Sequence, residues 1–141
     1  MMLRQACHEL SLATRGRGLY EFTGEVQAWL AQLGFQQGLL TLHLRHTSAS
    51  LLIQENAAPE VRGDLEDFFR ALAPEDIRRY RHTEEGPDDM PGHIRSALLP
   101  TQLSIPLQAG RLALGTWQGI FVFEHRRAPH RRSVVLTLIG D

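Results

Sequence analysis

Cysteine is almost missing from this chain: of 141 residues, only Cys7 carries a thiol. An internal disulfide is thereby excluded, and that usage fits a reducing compartment, so a cytoplasmic location is expected. Long apolar runs are missing too. No stretch approaches the roughly 20 apolar residues of a bilayer-spanning helix. None follows the Met-Met-Leu-Arg start, so neither a membrane span nor a signal peptide is expected. Excess charge of one sign is also absent. The formal net charge is -1, which gives no global reason to bind nucleic acid or an anionic membrane. The chain shows no internal repeat and no low-complexity tract.

What is there suits one domain, residues 1–141, with a sizeable core: 43% of residues are hydrophobic and 22% charged. Charge is unevenly spread. Arg126, Arg127, Arg131 and Arg132 crowd the C-terminal third, while residues 55 to 89 are acid-rich. Separate surfaces for anions and for cations are one reading of this; two solvated faces are the other.

Residues 3 to 13 read as an opening strand and 13 to 18 as a turn. Phe22, Val26, Trp29, Leu30 and Leu33 recur at helical spacing, with Thr23 as N-cap and Gly34 as the C-terminal glycine. Leu40, Leu42 and Leu44 alternate with Thr41, His43 and Arg45, which predicts a half-buried strand over 37 to 54. Extended onward, that alternation puts His46, Ser48 and Ser50 on the leucine side unless a bulge intervenes. A helix is expected from Pro59 to Leu72, buried through Val61, Leu65, Phe68, Phe69 and Leu72. Asp64 lies about 40° from Phe68 on that helix, so it is the carboxylate expected to reach inward. A short helix carries Ile94, Ala97 and Leu98. Strands at 103–107, 119–125 and 133–140 close the chain. Many strands with few helices predict an α+β fold: a mainly antiparallel, β-sandwich-like domain with two to three helices.

The run RHTEEGPDDMPGHIRS, from Arg81 to Ser96, packs two histidines and four carboxylates around a Gly-Pro turn. Its return can bring His82 and His93 to one point, and His46 of HTSAS supplies a third imidazole. Three imidazoles with an open fourth position suit zinc or a similar transition metal. Asp89, at the start of the short helix, either caps it or joins the metal. His8, His43 and His130 read as surface. His125 shares a strand face with Phe121 and Phe123, and Glu124 shares the other with Ile120 and Val122, so one of the two is expected to be oddly placed. Thr47, Ser48 and Ser50 offer hydroxyls to a phosphate, or local strand hydrogen bonds; a serine nucleophile beside His46 has little support. Gln118 of GTWQG suits an amide or pyrimidine edge, and Trp117 reads as core or subunit interface. Arg131 and its neighbours suit phosphate.

Taken together and in order, HTSASLLIQENA, YRHTEEGPDDMPGHIRSALL, GRLALGTWQGIFVFEHR and RRSVVLTLIGD resemble the YjbQ family, from about Ser11 to the end. The resemblance implies a sandwich-like α+β fold, a homotrimer, and secondary thiamine-phosphate synthase activity. That activity joins an aminopyrimidine-methyl diphosphate to a thiazole phosphate and releases pyrophosphate. It also implies site roles for His46, Asp64, His82, His93, Gln118 and Glu124, and for an arginine aligning with Arg131 or Arg132.

The expected mechanism follows from this. His46, His82 and His93 bind the metal, while His46, Asp64 and Glu124 take catalytic roles, Asp64 as an acceptor orienting one histidine. Arg131 with Thr47, Ser48 and Ser50 binds the phosphorylated small molecule, and Gln118 the pyrimidine. Diphosphate chemistry also suggests magnesium, which prefers oxygen ligands and conflicts with a histidine site. The competing readings are a metal-dependent hydrolase of a small phosphorylated metabolite and a non-catalytic trimeric metabolite-binding protein.

Overall fold

The computed structural model describes residues 2–141. Its frame is two antiparallel sheets. Strands β1 (Arg4–Thr14), β8 (His130–Gly140), β3 (Gly38–Leu44), β5 (Gln102–Gln108) and β6 (Arg111–Leu112) form the larger one, in that spatial order. Strands β2 (Gly18–Glu21), β7 (Gln118–Glu124) and β4 (Ala49–Glu55) form the smaller. Helix α1 (Thr23–Leu33) packs into the core between them through Val26, Trp29 and Leu30. Helices α2 (Pro59–Leu72) and α3 (Asp89–Leu98) belong to the connection between β4 and β5. The fold is the expected antiparallel α+β architecture. No helix among the described residues is long and apolar enough to cross a membrane.

Alternation explains the core. Leu40, Leu42 and Leu44 of β3 face Val134, Leu136 and Leu138 of β8 and, across the gap, Leu51, Ile120 and Val122 of the smaller sheet. These side chains are almost fully buried, each contributing on the order of 1.5–3 kcal/mol of burial. Gly34 ends α1 in the left-handed conformation, φ 69°, as its place after Leu33 predicts.

Three expectations change. On α2, Phe68 and Leu72 of the expected buried stripe are 60% and 51% exposed. The strand predicted over 37 to 54 is two strands in different sheets. The chain leaves β3 after Leu44 and re-forms as β4 at Ala49, so HTSAS is the crossing between sheets rather than the end of one strand. The smaller sheet is also covered on both faces. Ile120 and Val122 meet the main core, while Phe121 and Phe123 meet Leu52, Leu65 and Phe69. Glu124 and His125 are therefore both buried, at 0% and 1% exposure, and neither is the outward residue that a one-sided sheet demands.

Candidate metal centre

Helix α3 starts at Asp89, so Asp89 and His93 stand one turn apart on one face. The turn at Gly86, φ 102°, returns the preceding loop and sets His82 and Glu85 against that face. One donor atom from each of His82, Glu85, Asp89 and His93 then lies within 4.8 Å of the others. Asp89 is buried at the base, while the two histidines and Glu85 are more open.

The candidate ligand atoms converge. Asp89 Oδ2 is 3.0 Å from His82 Nε2 and 3.2 Å from His93 Nε2. Neither approach aligns as a hydrogen bond, and Oδ2 is buried without a partner. Tetrahedral ligands about 2.0–2.1 Å from zinc stand roughly 3.3 Å from one another, so the spacing is close to that of a metal's ligand shell. His93 Nδ1 lies 3.0 Å from the Thr47 carbonyl, which only accepts. The ring therefore carries a proton on Nδ1 and turns Nε2 to the cluster. His82 Nε2 is 2.9 Å from Glu85 Oε2. That hydrogen bond, against some desolvation and with the Asp89 charge, holds His82 above the ordinary imidazole value.

Arg126 ties the base together. Its Nη1 donates to Asp89 Oδ1 (2.7 Å), its Nε to Asp88 Oδ2 (3.1 Å) and its Nη2 to the Glu85 carbonyl (2.9 Å). Burial works against a charged Asp88. The Arg127 backbone N–H and the Arg126 guanidinium outweigh it and hold that carboxyl below the usual range. Gly92 faces Ser48, His125 and Arg126, a Cβ there lying 3.6 Å from each, so its lack of a side chain seats α3 closely.

A second buried network lies beside the first. Glu124 accepts from Thr14 Oγ1 (2.5 Å), from Arg132 Nε (2.8 Å) and from Arg132 Nη2. Arg132 Nη2 also donates to Ser48 Oγ at 2.9 Å and to the Ser48 carbonyl at 3.1 Å. Burial again opposes the Glu124 charge, and the bonds from Arg132 and Thr14 hold its carboxyl below the usual value. Ser50 Oγ and His125 Nε2 form a buried pair at 2.8 Å.

His46 is not a member of the metal cluster, contrary to expectation. Its Nε2 accepts the Ser133 N–H at 2.8 Å, and Arg132 Nη1 stands 3.3 Å from its Nδ1. The strand break at HTSAS carried it to this second network. Burial, then the Arg132 charge, holds it below the usual imidazole value.

Asp64 is exposed and orients nothing; Glu66 is the inward acid of α2, bound to Arg95 Nη1 at 2.8 Å. The acceptor that does orient a histidine is the Thr47 carbonyl. Glu124 is sealed, with both oxygens committed, so it holds Arg132 rather than acting on a ligand. Gln118 is exposed and accepts from the Gly115 N–H at 2.7 Å. It begins β7, and Glu124 ends that strand roughly 20 Å away, so Gln118 does not share the site. Trp117 is 63% exposed rather than core.

Arg131 points outward, its Nη1 3.3 Å from Ser11 Oγ, and Arg132 is the inward arginine. Counting back by twos from Leu138, Leu136 and Val134 reaches Arg132, so alternation in the sequence carried that signal. Of the hydroxyl residues, Ser50 is sealed on His125, Ser48 accepts from Arg132, and Thr47 is exposed. Of the two roles expected for Asp89, capping the short helix or joining the metal, its position beside both histidines matches the second, while Glu85 and Arg126 had no sequence sign beyond their place in charged runs.

The family model for YjbQ-like UPF0047 proteins matches residues 8–141. This chain belongs to the YjbQ/UPF0047 family. The chain is 54% identical over 138 residues to UPF0047 protein sll1880 of Synechocystis, covering 98% of this chain and 94% of that one. It is 45% identical to YjbQ of Escherichia coli O157:H7, covering 94% and 96%. A YbjQ-like protein of unknown function from Sulfolobus solfataricus shares the fold with a TM-score of 0.90, at 18% identity over 99% and 100% of the two chains. A YjbQ/UPF0047 structure from Clostridium acetobutylicum superposes with a TM-score of 0.83 at 30% identity, covering 93% and 98%. These matches overturn the expected thiamine-phosphate synthase activity: the matching proteins bear only UPF0047, YjbQ or unknown-function names, and nothing in them supports that activity.

Proposed function

We propose that this YjbQ-family chain holds a divalent transition metal between His82, Asp89 and His93 and presents it to a small oxyanionic metabolite. One observation carries the reading: Asp89 Oδ2, buried and without a hydrogen-bond partner, stands 3.0 and 3.2 Å from two imidazole nitrogens. Two imidazoles and a carboxylate favour zinc, cobalt, nickel or iron(II) over magnesium. Such an ion supplies Lewis acidity at its open positions. The residues do the rest. Thr47 fixes the His93 tautomer, Arg126 anchors Asp89, and Glu85 is placed to hold a proton released near His82. Because His82 is held above its usual value, protons compete with the metal for it, and metal affinity rises with pH.

The test is a cobalt(II) titration followed by visible absorption, on wild type and on Asp89→Asn and His93→Ala. Saturation at one ion per chain, lost in both variants, is the expected result. Binding of equal strength in all three proteins overturns the reading.

Assembly as a homotrimer belongs to the same proposal. The resemblance supplies the three-fold stoichiometry, and the uncovered outer face of the larger sheet offers a surface for it.

A further inference from the structure

We infer that the hollow beside the metal centre is an oxyanion-binding subsite, built on His46 and Arg132. It adds a second binding position to the metal reading and depends on that reading only for the ligand's relation to a metal.

The hollow has a volume of about 500 Å3 and is lined by Arg45, His46, Thr47, Ser48, Thr101 and Arg132, with His43 and Leu44. Two guanidinium groups, two imidazoles and three hydroxyls face it, and no carboxylate lines it. Arg132 is 3% exposed, so one of its charges is built into the wall rather than loose on the surface. Its Nε and Nη2 are committed to Glu124 and Ser48, which fixes where Nη1 stands.

The donor count at His46 points to an anion. Ser133 N–H donates to Nε2 at 2.8 Å. A neutral imidazole has one lone pair on nitrogen and one N–H, so Nδ1 carries the proton. Arg132 Nη1 stands 3.3 Å from that same Nδ1, and it too can only donate. Two N–H donors therefore face each other at the hollow with no acceptor between them. Turning the ring does not help, because it sets carbons against both donors and leaves the Ser133 N–H without its acceptor. Protonating it makes matters worse. An oxygen bearing negative charge, seated to accept from both, resolves the conflict and meets the Arg45 charge at the rim.

Arg45 is itself paired with Glu9 at 3.0 Å, but that pair is exposed, so the guanidinium is free to swing to a stronger partner. Thr47 joins the two positions. Its side chain lines the hollow and its carbonyl holds His93. A phosphate or carboxylate group bound here leaves the remainder of its molecule beside the metal ligands.

The experiment uses isotope-labelled full-length chain stripped of metal on a chelating resin. It is titrated with sodium phosphate and, separately, with acetate, at ionic strength held constant with chloride, and read by the amide signals of Thr47, Ser48 and Ser133 and the ring nitrogens of His46. Saturable shifts are expected, with phosphate binding more tightly than acetate because it carries more charge and more acceptor oxygens. Arg45→Gln, at an exposed position that leaves the fold intact, and Thr101→Val each weaken binding, the former by about tenfold. His46→Asn weakens it further.

Shifts that grow linearly with added salt, shifts reproduced by chloride alone, or saturation left unchanged by Arg45→Gln and Thr101→Val overturn the proposal. Cobalt titration of the same samples separates the two readings. Anion binding without metal binding sinks only the metal centre, and metal binding without anion binding sinks only the subsite.

Discussion

Arg126 serves two carboxylates and a backbone carbonyl with one guanidinium. It bonds Asp88, Asp89 and the Glu85 carbonyl at 3.1, 2.7 and 2.9 Å. Removing it takes from Asp89 Oδ1 its one strong donor among the described residues and unties the loop that carries His82. Outer partners of this kind set metal affinity, so Arg126→Ala is expected to lower it by roughly 10–100-fold in a competition titration. Arg126→Lys recovers only part, because an ammonium does not span three acceptors in one plane. Unchanged affinity in Arg126→Ala sets aside that role. At this scale the sequence was informative about identity and weak about partners. His82 and His93 stood out because the Gly-Pro turn returns one toward the other. His46 misled because counting by twos runs straight through HTSAS, whereas the backbone changes sheet there.

The end of strand β7 places Glu124 and His125 on opposite faces of a sheet covered on both sides. Burial, with help from the Arg95 and Arg132 charges, pushes His125 from 6.5 down to about 3. Unfolded chain takes up a proton near 6.5, and folded chain does so only near 3. Between those values the unfolded state binds more protons, so stability rises with pH there and is lost as pH falls. His46, also lowered, adds in the same sense. His82, raised, acts oppositely: its contribution is present at low pH and fades as pH climbs through its folded value. Asp88 and Glu124, both lowered, add their losses only at more acidic pH.

Urea midpoints are therefore expected to drop from pH 7 to pH 5 in wild type and to drop less in His125→Gln, whose side chain keeps a donor for Ser50. Identical slopes contradict the assignment to His125. The elements themselves were largely legible. The α2 boundaries, the α1 C-terminal glycine and the alternation of β3 follow from local pattern. Missing from the pattern were β2 and β6, four and two residues long, because so short a segment carries no period. The two-sided burial of β7 depends on where α2 and the following loop dock, which no local signal reports.

At the scale of the whole molecule, the described residues leave the outer face of the larger sheet open. On the larger sheet, Gln5, Ile139, Leu39 and Pro106 form one row across β1, β8, β3 and β5, followed by Cys7, Thr137, Thr41 and Ser104. Leu39 and Ile139 remain 47% and 46% exposed there. A trimer that covers this face is expected to sediment at three times the chain mass, and Leu39→Asp to shift it toward single chains, since an unpaired carboxylate is costly to bury. A wild-type particle at the mass of one chain contradicts the assembly. The antiparallel α+β class was readable from the count of strands against helices; which face of which sheet stays open was not, because it depends on how the two sheets stack.

A metal centre here requires one convergence, that of Asp89 with His82 and His93. Its most direct test is an anomalous difference map from a crystal grown with zinc or cobalt. A single strong peak is expected roughly 2.1 Å from both Nε2 atoms and from Asp89 Oδ2. A map with no peak between them, or with the metal bound to His46 instead, contradicts it.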